Sequence, residues 1–279
     1  MNEIYGAIIG DIAGSKFEVE EMRACLNKEK VSREKRLENA KEDFFTRDKE
    51  FTDDTILTVA VMDAILNGGD YSKYIKEYTE RFVAKGKDRW GRGYFSPNYV
   101  KIIKGESKPE SKGDGSCMRV SPVAYAFDNI EETLVNAKLS ALPSHNSYDG
   151  ILCAQATAGC VYLARKKANK DLIKRFAEDI LGIKFDYDLE ELQNKNKFSA
   201  LAITVCPIAI YMFLISESYE DCLRKSISIG GDVDSTCAIS CAIAGAFYGI
   251  PDLFIKKAKG YLPKDFVKVI DAFQKKYGC

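Results

Sequence analysis

Helical spacing of apolar residues is the feature that most constrains how this chain can fold. Apolar residues recur three and four positions apart along most of its length, while the alternation and tight-turn dipeptides typical of strands are nearly absent. We therefore predict an all-α protein. With 279 residues, 46% of them hydrophobic, the chain can bury a large core, and we expect one compact multi-helix domain over 1–279. The predicted helices cover 7–18, 55–66, 71–84, 129–142, 149–167, 171–181, 200–216, 219–228, 234–248, 252–260 and 264–277.

Glycine marks two segments with different roles. Gly6, just before the first predicted helix, and Gly10 and Gly14 within it recur every four residues, so another backbone can approach that face closely. Over 85–119 the helical period fails, and glycines accumulate beside aromatic residues. Because so long a loop in a compact domain is usually functional, we predict that it contacts substrate. The polar segment 185–197 is predicted to be an exposed connection.

Charge and composition exclude several classes of partner. Lysine plus arginine equals aspartate plus glutamate at 41 each, so no global positive field attracts nucleic acid or an anionic membrane surface. The apolar runs end before membrane-spanning length, and the N-terminal residues do not resemble an export signal. Nine cysteines without a C-x-x-C pair are interpreted as buried thiols in a reducing compartment. We expect a soluble, cytoplasmic monomer.

Two short acidic clusters, at 52–55 and 230–236, each open directly into an apolar, helix-patterned run. Together they offer four carboxylates and several hydroxyls, the oxygen ligands that hard divalent cations such as Mg²⁺ require. The first cluster could serve only as a helix cap. The second exceeds what a cap needs, because two carboxylates stand one residue apart after a Gly-Gly turn. Since clustered carboxylates repel unless cations neutralise them, convergence of the clusters would indicate a metal site.

Two further acids lie on the first predicted helix. Asp11 and Glu18 are seven residues apart and can therefore face the same side. Either could be an ordinary surface charge. Glu18, however, interrupts an otherwise small and apolar helix, which favours an inward acid that serves a site.

The end of the long loop, 113–122, could bind phosphate. Two glycines and Ser116 ahead of a helix can present backbone N–H groups, and Arg119 can add positive charge. The pattern is weak alone, because it lacks both the P-loop motif and the dinucleotide fingerprint. His145, the single histidine, lies between two predicted helices and could equally be structural or solvent-facing.

Taken in order, these motifs resemble the ADP-ribosylglycohydrolase family, and especially its short bacterial members. The resemblance extends over about 4–260, and five ordered motifs are far more specific than any one of them. In chain order they are GAIIGD at 6–11 leading to Glu18, FTDDT at 51–55, GDGSCMRVSP at 113–122, SHN at 144–146 and GGDVDS at 230–235.

The resemblance implies an all-helical fold with two Mg²⁺ ions, or Mn²⁺ in their place, between the acidic clusters. It gives Glu18 a catalytic role, and Asp53 could share the proton handling. It assigns the 113–119 loop to the diphosphate and distal ribose. The implied metal ligands are Thr52, Asp53, Asp54, Asp232, Asp234 and Ser235. The implied substrate-binding residues are Asp11, Gly113, Gly115, Ser116, Met118, Arg119 and His145.

Several positions depart from the family pattern. Asp114 stands where asparagine is frequent, Ser235 where threonine is usual, and 93–96 replaces a more glycine-rich run. Serine keeps a hydroxyl ligand, so metal binding is not affected. A carboxylate at Asp114 would repel a diphosphate unless it points away, which bears on substrate preference.

From the resemblance we predict Mg²⁺-dependent hydrolysis of an ADP-ribosyl N- or O-glycosidic bond, with release of ADP-ribose from a modified protein side chain or a small molecule. Two alternatives belong to other classes. One is a non-catalytic ADP-ribose-binding or crystallin-like protein, and the other is a two-metal phosphohydrolase that cuts the pyrophosphate. The motifs do not identify the acceptor.

Overall fold

The structure, a computed structural model, describes residues 2–278, and within that range it consists of helices, loops and isolated bridges without a strand. The all-α prediction is confirmed. The helices are α1 Tyr5–Leu26, α2 Arg33–Asn39, α3 Asp53–Leu66, α4 Tyr71–Lys85, α5 Pro97–Ile103, α6 Gly115–Met118, α7 Val123–Ala126, α8 Ile130–Ala141, α9 Tyr148–Arg165, α10 Lys170–Leu181, α11 Leu189–Lys195, α12 Ala202–Leu214, α13 Tyr219–Ser228, α14 Val233–Tyr248, α15 Asp252–Lys259 and α16 Lys264–Tyr277.

Helices α1 and α14 lie backbone against backbone at the centre of the fold. A Cβ atom on Gly10 would lie 2.3 Å from the carbonyl oxygen of Cys237, and one on Gly14 would lie 2.7 Å from Cα of Asp234. Real Cβ atoms do not approach other atoms so closely, so only glycine at these positions permits the short separation between the backbones of α1 and α14. The close approach predicted from the glycine spacing is confirmed.

This central pair determines where the acidic clusters lie. α14 also packs against α9, α12 and α13, while α3 packs against α1, α4 and α16. Both α3 and α14 are therefore neighbours of α1, and the residues that begin them can meet beside it. The buried apolar side chains form one main cluster, with a small second one of Ile208, Met212 and Ile229.

The structure contains helical segments that were not predicted. The predicted first helix continues eight residues beyond Glu18, to Leu26. The short helix α5 lies within the long loop. α2 has too few residues to show a period, and its Arg36 donates to both carboxylate oxygens of Glu21, at 2.6 and 2.7 Å. α11 lies within the polar connection 185–197, where Gln193 is buried. Most of the connection is exposed or half-buried, as predicted, but long-range contacts bury Gln193.

Within the described range eight cysteines are free thiols, and all except Cys25 are buried, as predicted. The ninth, Cys279, lies outside the described residues. No helix among residues 2–278 combines the length and apolar character needed to cross a membrane.

Candidate functional site

The two acidic clusters converge. α3 begins at Asp53 and α14 at Val233, and the two helix starts lie on the same side of α1. Oxygen atoms of Asp11, Asp54 and Asp234 all lie within 4.8 Å of one another. Ser235 Oγ lies 3.5 Å from Asp54 Oδ2, across 181 residues of sequence. Distant segments thus supply one compact group of oxygen atoms.

Asp11 fastens the start of α3 to α1. Its buried carboxylate accepts hydrogen bonds from the backbone N–H groups of Thr52 and Thr55, at 2.9 and 3.1 Å, and from both of their hydroxyls. These donors consume most of its acceptor capacity. Asp11 is fully buried and does not line the cavity, and its carboxylate contacts the start of α3.

Capping accounts for part of the first cluster only. Thr52 is the N-cap of α3, and its hydroxyl accepts from the Asp54 N–H at 3.4 Å. By contrast, the Asp232 side chain, at the N-cap of α14, makes no capping hydrogen bond. Asp234 Oδ1 accepts from the adjacent Ser235 N–H at 3.0 Å. The second cluster therefore holds carboxylate oxygens that capping does not require.

The electrostatics of this group favour a bound cation. Burial first, and then the charges of Asp11 and Glu18, raise the pKa of Asp53 to about 7. Burial and neighbouring carboxylates likewise hold the pKa of Asp54 and of Asp234 well above its usual range. Oδ1 of Asp54 is buried without a hydrogen-bond partner in the described residues. An orphaned carboxylate oxygen among repelling carboxylates fits a hard divalent cation.

Glu18 lies on the cavity wall and is held by a residue that sequence reasoning missed. Its Oε2 accepts from Arg92 Nη1 at 2.6 Å, and Arg92 Nε donates to Asp88 Oδ2 at 2.9 Å. Burial raises the pKa of Glu18, while the Arg92 guanidinium opposes that rise. Because 74 residues separate the pair, no local spacing could have indicated it.

A cavity of about 1030 Å³ opens above the carboxylates. Its floor includes Asp53, Asp54, Asp232, Asp234 and Ser235. Three aromatic residues of the long loop, Tyr94, Phe95 and Tyr99, line its wall, so the prediction that this loop borders the site agrees with the geometry; Trp90 lines a separate cleft. Phe198, from the connection between α11 and α12, also lines the wall, and no sequence signal indicated it.

The predicted substrate-binding residues divide into two groups. Gly113, Gly115, Met118 and His145 line the cavity. Ser116 and Arg119 lie behind its wall: Ser116 Oγ donates to the Gly150 carbonyl at 2.7 Å, and Arg119 Nη2 donates to the Ser140 carbonyl at 2.8 Å.

The backbone of this loop is also partly committed within the protein. The Gly113 N–H donates to Ser111 Oγ at 3.1 Å and the Asp114 N–H to the Ala200 carbonyl at 3.0 Å. Of the N–H groups predicted to face a phosphate, that of Gly113 is thus engaged within the protein, and the buried Arg119 guanidinium points to Ser140 and Ser144.

Asp114, which the family resemblance marks as a departure, lines the cavity. The side chain is buried, and its Oδ2 has no hydrogen-bond partner among the described residues. Burial, and then the charges of Asp54 and Asp234, raise its pKa well above the usual range. The metal-free site therefore disfavours an ionised Asp114, as it does the other buried carboxylates.

Comparisons with known proteins agree with this geometry. A sequence model described as ADP-ribosylglycohydrolase matches residues 3–275. The chain is 24% identical over 334 residues to ADP-ribosylhydrolase ARH3 of Homo sapiens, covering 94% of this chain and 89% of that protein. It is 20% identical over 220 residues to ADP-ribosylarginine hydrolase Tri1 of Pseudomonas putida (strain GB-1), covering 72% and 59%.

A solved structure shows the same fold. The protein described as "ADP-ribosylglycohydrolase-related protein complex" superposes with a TM-score of 0.68 at 17% identity, covering 98% of this chain and 96% of that one. The family match spans almost the whole chain, and its motifs meet at one cavity. This chain therefore belongs to the ADP-ribosylglycohydrolase family.

Proposed function

We propose that this protein hydrolyses the glycosidic bond at C1 of an ADP-ribosyl group in a Mg²⁺-dependent reaction and releases ADP-ribose. The observation that carries the proposal is the meeting of the acidic starts of α3 and α14 at the floor of the cavity. Membership of a glycohydrolase family supports the reaction class.

The residues that would hold two Mg²⁺ ions, or two Mn²⁺ ions, are those at the two helix starts. They provide only carboxylate and hydroxyl oxygens, which suit either cation. The orphaned Oδ1 of Asp54 and the elevated pKa values of the cluster support the assignment. When bound, such ions orient ribose hydroxyls and lower the pKa of water. The proposed ligands are Thr52, Asp53, Asp54, Asp232, Asp234 and Ser235.

Glu18 is the proposed proton-handling residue. Its carboxylate lies on the wall beside Asp53 and is fixed in direction by Arg92. A positioned carboxylate can accept a proton from attacking water and can stabilise positive charge that develops on the sugar. Asp53, partly exposed to the cavity with a pKa near 7, could share this work.

The remaining wall suits the rest of the ligand. Tyr94, Phe95 and Tyr99 line this wall, and aromatic side chains are the groups beside which an adenine base packs well. His145 lies beside Gly113 and Gly115, at the loop expected to approach the diphosphate. We propose that the aromatic wall binds the adenosine end while the acidic floor holds the ribose that reacts.

The decisive assay measures release of ADP-ribose from arginine-modified and serine-modified peptides, with Mg²⁺ and with a chelator. We expect intact ADP-ribose from at least one substrate, only when Mg²⁺ is present. ADP-ribose binding without turnover would instead indicate a non-catalytic binder. AMP and ribose phosphate as products would indicate a pyrophosphohydrolase. The preferred peptide identifies the acceptor.

The metal proposal also predicts how stability depends on pH. The folded-state pKa of Asp53, about 7, exceeds its ordinary value of 3.8, so its stabilising contribution is present below the ordinary value and is lost as pH rises through about 7. Without metal, the free energy of unfolding should therefore fall between about pH 4 and pH 7 through this group. Because Mg²⁺ binds the ionised carboxylates, it should stabilise the protein much more at about pH 8 than at about pH 5.

Denaturant unfolding with and without Mg²⁺ at the two pH values measures this effect. Saturation at a hundred times the dissociation constant would add about 2.7 kcal/mol. Asp53→Asn, which lacks one of the titrating groups, should show a shallower dependence on pH. An equal Mg²⁺ effect at both pH values would contradict the prediction.

A further inference from the structure

The single histidine ends a chain of three polar side chains. Arg119 Nη2 lies 3.0 Å from Ser144 Oγ, and Ser144 Oγ lies 2.7 Å from His145 Nδ1. Arg119 and Ser144 have no exposed surface, and His145 is 2% exposed. All three lie in the same region as the cavity wall, yet only His145 reaches the cavity.

The direction of each hydrogen bond follows from the donors available. A guanidinium can only donate, so Ser144 Oγ accepts from Arg119. The hydroxyl hydrogen of Ser144 can then point to His145 Nδ1, the nearest acceptor. Nδ1 of a neutral imidazole that accepts carries no proton, so the proton is on Nε2.

The Tyr99 hydroxyl is the competing acceptor for Ser144. It lies within reach of the Ser144 hydroxyl and of the Arg119 guanidinium, and the Thr79 hydroxyl lies 3.4 Å from it. If Ser144 donated to Tyr99, Nδ1 of His145 could donate to Ser144 and the tautomer would be reversed. The structure places Ser144 Oγ 2.7 Å from Nδ1, and we take the arrangement in which Ser144 donates this hydrogen bond.

The opposite edge of the imidazole is directed toward the loop at 113–115. A Cβ atom on Gly113 would lie 3.6 Å from Nε2, and one on Gly115 would lie 3.0 Å from it. The His145 N–H donates to the Ala141 carbonyl at 2.8 Å, which holds the backbone from which the ring projects. Burial, and then the Arg119 charge, lower the pKa of His145 well below its usual range, so the ring is neutral at pH 7.

We propose that Arg119 and Ser144 are positioning residues that hold His145 as its Nε2–H tautomer, so that His145 donates a hydrogen bond to an anionic oxygen of the substrate's diphosphate. The diphosphate rests on the proposed function, whereas the tautomer rests on the hydrogen bonds alone. Although buried, Arg119 can thus act on substrate binding indirectly, because it orients Ser144 and, through Ser144, the His145 ring.

The tautomer can be measured directly because the chain has one histidine. In the full-length protein labelled with ¹⁵N-histidine, two-bond nitrogen–proton correlation spectra should show a protonated Nε2 and an unprotonated Nδ1 at pH 7. The measurement needs no substrate and no catalysis. A protonated Nδ1 with unprotonated Nε2, or an imidazolium, would overturn the proposal.

Variants test whether the hydrogen-bonded chain from Arg119 through Ser144 to His145, here called the relay, sets the tautomer. Ser144→Ala should produce a mixture of tautomers and weaken ADP-ribose binding, measured by calorimetry, roughly tenfold. Ser144→Thr keeps the hydroxyl and should preserve both properties. Ser140→Ala is the matched control: it removes a neighbouring buried hydroxyl that bonds the Ala137 carbonyl and should leave the histidine spectrum unchanged.

An unchanged histidine spectrum in folded Ser144→Ala would overturn the relay. If Ser144→Ala does not fold, the wild-type spectrum and that of Ser144→Thr still decide the tautomer. Failure of the wild-type protein to bind or hydrolyse any ADP-ribosyl compound would refute the proposed function instead. The tautomer assignment would then still be decided by the ¹⁵N spectrum, which is recorded without substrate.

Discussion

Asp234→Asn is expected to reduce release of ADP-ribose by about 100-fold or more, because loss of even an outer-shell partner of a metal site costs about 10–100-fold in metal affinity or activity. Asp234 supplies one of three carboxylates whose oxygens lie within 4.8 Å of one another. An amide keeps the shape of the side chain but removes a negative charge, so the site should bind Mg²⁺ more weakly. Kinetics over a range of Mg²⁺ concentrations separate lost metal affinity from lost turnover.

The same variant should change stability in the opposite direction. Burial and the charges of Glu18, Asp232 and Asp11 disfavour ionised Asp234 in the folded protein. Removing that charge should therefore stabilise the metal-free protein at about pH 8, as measured by denaturant unfolding. A variant that is inactive because it is misfolded would be destabilised instead, so the two measurements together identify a site residue.

Asp252→Asn is the matched control for Asp234→Asn. Asp252 also lies in the first turn of a helix, α15, but it is exposed and does not line the cavity. The activity of the Asp252→Asn variant and its response to Mg²⁺ should equal those of the wild type. Full activity of Asp234→Asn would show that the reaction does not depend on the acidic floor, and the assigned site would then be wrong.

Local patterns predicted the parts of the fold that local physics controls. Helical periodicity identified the long helices, because an amphipathic or fully apolar helix repeats its signal over several turns. The glycine spacing on α1 indicated the close approach of α14, since that contact depends on the absence of side chains. The acidic clusters were recognisable because their oxygens exceed what capping requires.

Long-range partners could not be predicted in the same way. Nothing in the 85–119 segment indicates that Arg92 pairs with Glu18, because a loop residue has no periodicity to direct it. Arg119 appeared suited to contact a phosphate, yet the packing of α8 and α9 around it buries its guanidinium against Ser140 and Ser144. Such pairings arise only when the helices are placed in three dimensions.

Gly10→Ala is expected to lower the free energy of unfolding by about 2 kcal/mol or more. The new methyl group would lie 2.3 Å from the carbonyl oxygen of Cys237, which belongs to backbone and cannot rotate away. Such overpacking costs about 3 kcal/mol, whereas the better helix propensity of alanine returns only about 1 kcal/mol. Urea unfolding followed by circular dichroism measures the difference.

The matched control for Gly10→Ala is Gly93→Ala. A Cβ atom on Gly93 meets only the Phe95 carbonyl oxygen, at an ordinary 3.5 Å, so stability should stay within about 0.5 kcal/mol of the wild type. Gly10→Ala should also reduce activity, because separating α14 from α1 moves Asp234 away from Asp11 and Asp54. Unchanged stability in Gly10→Ala would mean that the two backbones are not in contact, and the placement of the second acidic cluster beside the first would lose its structural basis.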